Sequence, residues 1–269
     1  MREIPGEEAP TLGQAFGSYC ERPVALALRR HFVSAWFHIK APGPARQTVV
    51  VPDASADLVW FGGTLLVAGP DSEVSFESVP PGTTVVGLKF QLGAVARWLK
   101  APASEIVGAR LNLGCFRATQ AQQLLDSIGD AQNPELIVRR LESALSNMVA
   151  HLEAPDPFYR MLITFMEETR YANGPIIRDL TCTLGMSEST LRRRCEHGFG
   201  YGPKTLDRIL RMQRFLRLVS AQNGLSLAGL ADAGGYADQA HLTREARKLT
   251  GLTPTAILAQ LSPSVSRAK

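Results

Sequence analysis

The sequence predicts an α+β chain of two domains: a β-rich barrel or sandwich, then an all-α domain with two helix-turn-helix units joined by a long helix. Three observations carry this. Short β-branched runs punctuated by glycine and proline fill the first third and cease by about residue 118. From there on, apolar residues recur at helical spacing. Near the C-terminus a stretch repeats itself at an offset of 50 to 51 residues. The expected boundaries are 1–118 for the β-rich domain, 119–155 for a helical connector and 156–262 for the tandem helix-turn-helix domain.

Within the first domain, TVVV (48–51), DLVW (57–60), TLLVAG (64–69) and TTVVGLKF (83–90) read as strands. Pro52, Gly62-Gly63, Gly69-Pro70 and Pro80-Pro81-Gly82 separate them. A helix follows at about 92–101, with Leu92, Val95, Ala96 and Leu99 on one face. Among the aromatics, Trp36, Trp60 and Phe90 are the candidate lining of a ligand pocket, although aromatics in a small β domain are more often core. The stretch PDASAD, with Asp53 and Asp57, reads as a turn whose carboxylates satisfy turn amides rather than as a catalytic pair.

The helical region begins with TQAQQLLDSIGD and PELIVRRLESALSNMVAHLE. In the second, Ile137, Leu141, Leu145, Met148 and Leu152 form a stripe that packs either on its own domain or across a dimer seam. FYRMLITFMEETR (158–170) reads as a further helix that ends at Asn173-Gly174-Pro175.

Beyond Pro175 comes the duplication. RDLTCTLGMSESTLRRRCEHGFGYGPKTL aligns with GLADAGGYADQAHLTREARKLTGLTPTAI, matching Leu191 with Leu242, Arg193 with Arg244, Gly200 with Gly251 and Pro203 with Pro254. Each copy has an apolar helix ending at glycine, a tight turn, a polar cap and a second helix. The second helix ends at another glycine, followed by a proline that starts the next helix. The cap is Ser187 in one copy and Ala237-Asp238 in the other. This is helix-turn-helix grammar written twice.

At about 100° per residue, Leu191 and Cys195 mark the buried side of the first copy's second helix, and Arg193 points away from it. In the second copy Leu242, Ala246 and Leu249 are buried, and Arg244 is outward beside Arg247 and Lys248. An α-helix fits the DNA major groove, where arginine pairs bidentately with guanine. Arg192 and Arg194 fall on the shoulders, which face groove walls; Arg194 is the candidate phosphate clamp. Between the copies, PKTLDRILRMQRFLRLVSAQ is apolar along one side, with Arg208, Arg211, Arg214 and Arg217 stepping around the other. Such a helix of about 18 residues is about 27 Å long and could hold two reading helices near the ~34 Å repeat of one DNA turn.

The stretch GGYADQAHLTREARKLTGLTP resembles the signature of the AraC/XylS family of bacterial transcription regulators, and the likeness extends over about residues 158–261. The resemblance implies sequence-specific binding of double-stranded DNA. It puts base contacts at Ser189, Arg192 and Arg193, and at Gln239, His241, Thr243 and Arg244. Cys195 and Ala246 depart from the pattern, which usually carries Phe there, and Ala240 stands where Ser is common. VVPDASADLVWFGGTLLVAGP with PPGTTVVGLKFQLGA is similar to a cupin-like β domain found before such regions, which implies a sensor or dimerisation module. Such a regulator would meet a small-molecule effector, a second copy of the chain and RNA polymerase as partners, at the nucleoid.

Composition fits. Residues 1–173 carry 15 Lys+Arg against 18 Asp+Glu, and residues 174–269 carry 14 against 7, so a basic end adjoins an acidic remainder. The 269 residues are 45% hydrophobic without a run of about 18 apolar residues, so no membrane helix is expected. The first residues lack a signal-peptide core. Four scattered cysteines give no CxxC pair, so neither zinc nor any other metal or cofactor is expected, and the cytoplasm is the natural home. No catalytic motif occurs, and His31 and His38 do not form a metal cluster, so an enzyme is not expected. Two other readings stay open: an adaptor that no longer reads DNA, and a small-molecule enzyme with a basic tail.

Overall fold

The computed structural model describes residues 11–12, 18–42, 47–168, 176–221 and 224–261. The N-terminal strands are β1 (Thr11–Leu12), β2 (Ser18–Pro23), β3 (Phe32–Ile39), β4 (Gln47–Val50), β5 (Asp57–Phe61), β6 (Thr64–Ala68), β7 (Ser75–Ser78), β8 (Thr84–Phe90) and β9 (Arg110–Asn112). They form two sheets, a six-stranded one in the order β2-β3-β8-β5-β6-β9 and a three-stranded one in the order β1-β4-β7. The hairpin between β5 and β6 turns on Gly62 and Gly63 at φ +55° and +78°, the left-handed pair that a two-residue loop of this twist requires.

Side chains alternate across a strand, so register decides what faces the core. Ala35, Leu58, Val86, Leu88 and Phe90 share one face of the large sheet and are buried. Helices α1 (Ala94–Leu99), α2 (Gly114–Ile128) and α3 (Pro134–Val149) cover that face. Trp98, Leu124, Ile137, Leu141 and Leu145 from these helices join the same core. The stripe on α3 therefore packs on its own domain. The segment expected as a connector completes the N-terminal core, because the core face would otherwise lie open to water.

The other face of the sheet is polar. Ser34, Asp57, Lys89 and Arg110 lie in one cross-strand row, and Glu21 and Trp36 in the next. Lys89 Nζ pairs with Asp53 Oδ2 at 2.7 Å, and Arg110 bridges to the small sheet through Asp71 at 2.8 Å and Glu77 at 3.0 Å. Trp36 Nε1 donates to Asp57 Oδ1 at 2.8 Å, and its ring covers Gly87, where a Cβ would lie 2.2 Å from the indole. The candidate pocket lining is thereby corrected. Trp36 faces away from Trp60 and Phe90 because it sits one residue out of phase with them across β8, so the three side chains do not converge. Asp53 does cap its turn, accepting from the Ser55 amide at 3.0 Å, whereas Asp57 belongs to β5.

Burial pushes the Asp57 carboxyl up to about 6; Lys89 opposes the shift and the Asp53 charge adds to it. An unfolded Asp titrates near 4, so between about pH 4 and 6 the folded chain holds the extra proton. Stability contributed by this group is present at low pH and is lost as pH rises through that window. Asp57→Asn is expected to remove this loss and to be the more stable protein at pH 7.5, by on the order of 1–2 kcal/mol. Urea midpoints of both proteins at pH 4.5 and 7.5 measure it. A difference that does not grow with pH would reject the assignment.

The C-terminal part is helical: α4 (Pro157–Glu168), α5 (Ile176–Leu184), α6 (Glu188–Phe199), α7 (Pro203–Ser220), α8 (Leu227–Gly234), α9 (Gln239–Thr250) and α10 (Pro254–Leu261). Its core gathers Leu191, Cys195 and Phe199 of α6, Leu206, Ile209 and Phe215 of α7, and Leu242, Ala246 and Leu249 of α9. No helix among the described residues is long and apolar enough to cross a membrane.

Candidate nucleic-acid interface

The duplication is a structural one. Ser187 Oγ accepts the Thr190 amide at 3.2 Å to start α6, and Asp238 Oδ1 accepts the His241 amide at 2.6 Å to start α9. These caps lie 51 residues apart, as do the amides they satisfy, so of the expected Ala237-Asp238 pair it is Asp238 that caps. Both helices end at glycines in the left-handed region, Gly200 at φ +86° and Gly251 at φ +71°. Pro203 and Pro254 then open the following helices. Helix α7 spans 18 residues between the units.

The structure leaves Arg193 and Arg244 exposed, and among the described residues neither makes a hydrogen bond or ion pair that would hold it back from a ligand. Ser189 and Gln239 lie exposed in the first turns, where free amides and the positive end of the helix dipole also lie. Arg192 is exposed and pairs with Glu196 one turn on at 2.7 Å, a contact that water screens and a phosphate can replace. Lys248 is exposed in the last turn of α9. His241 and Thr243 are half-buried. His241 stands edge-on to Tyr236 with centroids 5.4 Å apart, and Thr243 Oγ1 donates to the Gln239 carbonyl at 2.7 Å.

Arg194 departs from the expected phosphate clamp. Its Nη2 binds Asp156 Oδ2 at 2.6 Å, and its guanidinium lies 3.6 Å from the centre of the Phe158 ring. The helix turns this shoulder inward toward α4 instead of outward to a groove wall. The arginines of α7 are likewise less free than their spacing suggests. Arg208 pairs with Glu245 at 2.6 Å and Arg211 with Asp207 at 2.6 Å, while Arg214 donates to the Glu167 carbonyl at 2.8 Å. Only the acidic residues Asp156, Asp207 and Glu245 could have signalled this, and none is near its partner in the linear pattern except Asp207. Burial pushes the Cys195 thiol up to about 12, so it stays protonated and packs as a small apolar group.

The two domains touch. Gln213 Nε2 of α7 donates to the Pro52 carbonyl at 2.8 Å, and Gly200 closes so tightly on the loop after α1 that a Cβ there would lie 2.4 Å from Val107. A hollow of ≈ 450 Å³ opens between α8 and α9, lined by Ala231, Asp232, Tyr236, Asp238 and Gln239. It lies away from Trp60. Among the described residues, no group of three or more His, Cys, Asp or Glu side chains could hold a metal ion.

Two family profiles match parts of the chain. The profile of a family described as a helix-turn-helix domain matches residues 180–260, and that of a domain of unknown function, DUF6597, matches residues 23–112. Among solved structures, ToxT from Vibrio cholerae O395 is similar at a TM-score of 0.49 and 11% identity, covering 85% of this chain and 98% of that one. Apo ToxT of strain SCE256, as a lysine-to-alanine variant, gives 0.48 and 10%, covering 90% and 100%. The unsaturated fatty acid bound wild-type ToxT of the same strain gives 0.41 and 9%, covering 91% and 94%. The assignment of the C-terminal region rests on its sequence match and its caps. No curated protein matches the chain.

Proposed function

We propose that this chain, whose residues 180–260 are a helix-turn-helix domain of the AraC type, is a DNA-binding transcription regulator that reads two successive major grooves with one polypeptide. One observation carries the reading: Arg193 and Arg244 occupy the same outward position of two equivalently capped helices, and both are exposed. Arginine at that position can pair with guanine O6 and N7, and one long helix between the units suits half-sites about one turn apart. The N-terminal domain modulates this binding, through an effector or through pairing with a second copy. The contacts of Gln213 with Pro52 and of Gly200 with Val107 support it by tying sheet and reading domain together. On this reading the protein acts at the bacterial chromosome in the cytoplasm, meets RNA polymerase there, and has no catalytic role.

Electrophoretic shifts of promoter fragments across a salt series test the proposal. Lys248→Ala is expected to weaken binding to every sequence alike and to flatten the salt slope by about one unit, as loss of one phosphate contact does. A preference among sequences that changes with Lys248→Ala would place this residue at a base instead. Binding that shows no sequence preference in the intact protein would reject the regulator reading.

A further inference from the structure

The duplication carries one more equivalence, and it lies just past each reading arginine. Arg194 follows Arg193, Glu245 follows Arg244, and the two are 51 residues apart like every other matched pair in this half of the repeat. Their charges are opposite, yet both are half-buried and both are paired at 2.6 Å to a neighbouring helix or its cap: Arg194 to Asp156 at the start of α4, Glu245 to Arg208 of α7. We propose that these two ion pairs are positioning devices that set the rotation of each reading helix about its own axis, so that Arg193 and Arg244 are aimed at base edges. This rests on the reading of two grooves given above.

The physical argument begins with what else holds the helices. The fully buried residues next to these positions are Cys195 and Ala246, among the smallest apolar side chains. Leu191 and Phe199 of α6, and Leu242 and Leu249 of α9, anchor each helix on the core, but the small knob between them fills little of the facing groove, so packing opposes a roll of some degrees least at this turn. A side chain at the next position, about 100° around the helix, resists that roll if it is bonded to a fixed partner. Asp156 is such a partner, because its other oxygen accepts the Phe158 amide at 2.9 Å and caps α4. Arg208 is another, since it stands on the helix that joins the units. A carboxylate–guanidinium bond is directional as well as strong, which is what an orienting contact needs. The reversed polarity argues that what both repeats retain is the bond, with either sign of charge on the reading helix. It also explains why Arg194 is drawn away from phosphate.

The test uses the full chain and DNA duplexes in which one half-site at a time is altered. Arg193→Ala and Arg244→Ala first establish which half-site each helix reads. Asp156→Asn keeps the capping oxygen and Glu245→Gln keeps the shape, so both are expected to fold; thermal melting checks this. Asp156→Asn is expected to reduce discrimination about tenfold at the half-site of Arg193 and leave the other intact, and Glu245→Gln to do the converse. The reversal Arg208→Glu with Glu245→Arg is expected to restore discrimination that Arg208→Glu alone abolishes. Equal loss at both half-sites, or a folded reversal that does not recover, would overturn the positioning role. A wild-type protein without sequence preference would instead overturn the reading of the grooves. If Asp156→Asn or Glu245→Gln does not fold, the reversal decides the matter.

Discussion

Arg193→Ala and Arg244→Ala are each expected to relax base preference at one half-site, by roughly 1–3 kcal/mol, and to leave the other half-site as it was. The size follows from what the substitution removes. A bidentate arginine–guanine contact is made in the groove, where the wrong base offers at most one acceptor in place of guanine's pair. Both side chains are exposed in the free protein, and neither supports the fold, so the loss falls on binding. The two effects should be separable, because the helices belong to different repeats and each packs against α7. Competition binding with duplexes mutated at single positions reads this directly. If both variants keep the wild-type order of sequences, α6 and α9 do not enter the major groove by these faces. The double variant should lose both preferences additively, since Arg193 and Arg244 stand on different helices and each is expected to contact its own half-site.

How much of this was legible in the sequence follows from the range over which each signal acts. The caps, the left-handed glycines and the outward arginines are local, and Ser187, Asp238, Gly200, Gly251, Arg193 and Arg244 all stand where the repeat places them. The strands at β4, β5, β6 and β8 were visible because β-branched residues cluster there. Strand β3 was not, since FVSAWFHI mixes aromatic, polar and small residues according to the needs of two different faces. Register was equally hidden. Nothing in the order of residues says that Trp36 lies across β8 from Gly87 while Trp60 lies across it from Val86, and that single offset separates the supposed pocket lining. Long-range ion pairs escaped for the same reason. Arg194 and Asp156 are 38 residues apart, so Arg194 looked like a surface charge until the fold supplied its partner.

Phe90→Ala is expected to cost about 3–5 kcal/mol of stability. Phe90 is 1% exposed, stacks on Phe32 with centroids 4.6 Å apart and meets the edge of Trp98 at 5.5 Å. Removing the ring opens a cavity among side chains held by a sheet on one side and α1 on the other, so the gap cannot close by a local shift. Two aromatic contacts go with it, each worth about 0.5–1.5 kcal/mol beyond the area buried. Against a total stability of about 5–15 kcal/mol, this leaves a substantial fraction of the chain unfolded under mild stress. A residue lining an effector pocket would behave differently, changing the response to ligand while sparing the urea midpoint. The core that Phe90 occupies is distinct from the one that holds α6 and α9. Molecules of the variant that still bind DNA should therefore show the wild-type base preference, with only the active fraction reduced. Urea denaturation with titration of the binding-competent fraction by a specific duplex separates the two terms, and an unchanged urea midpoint would reject the core role of Phe90.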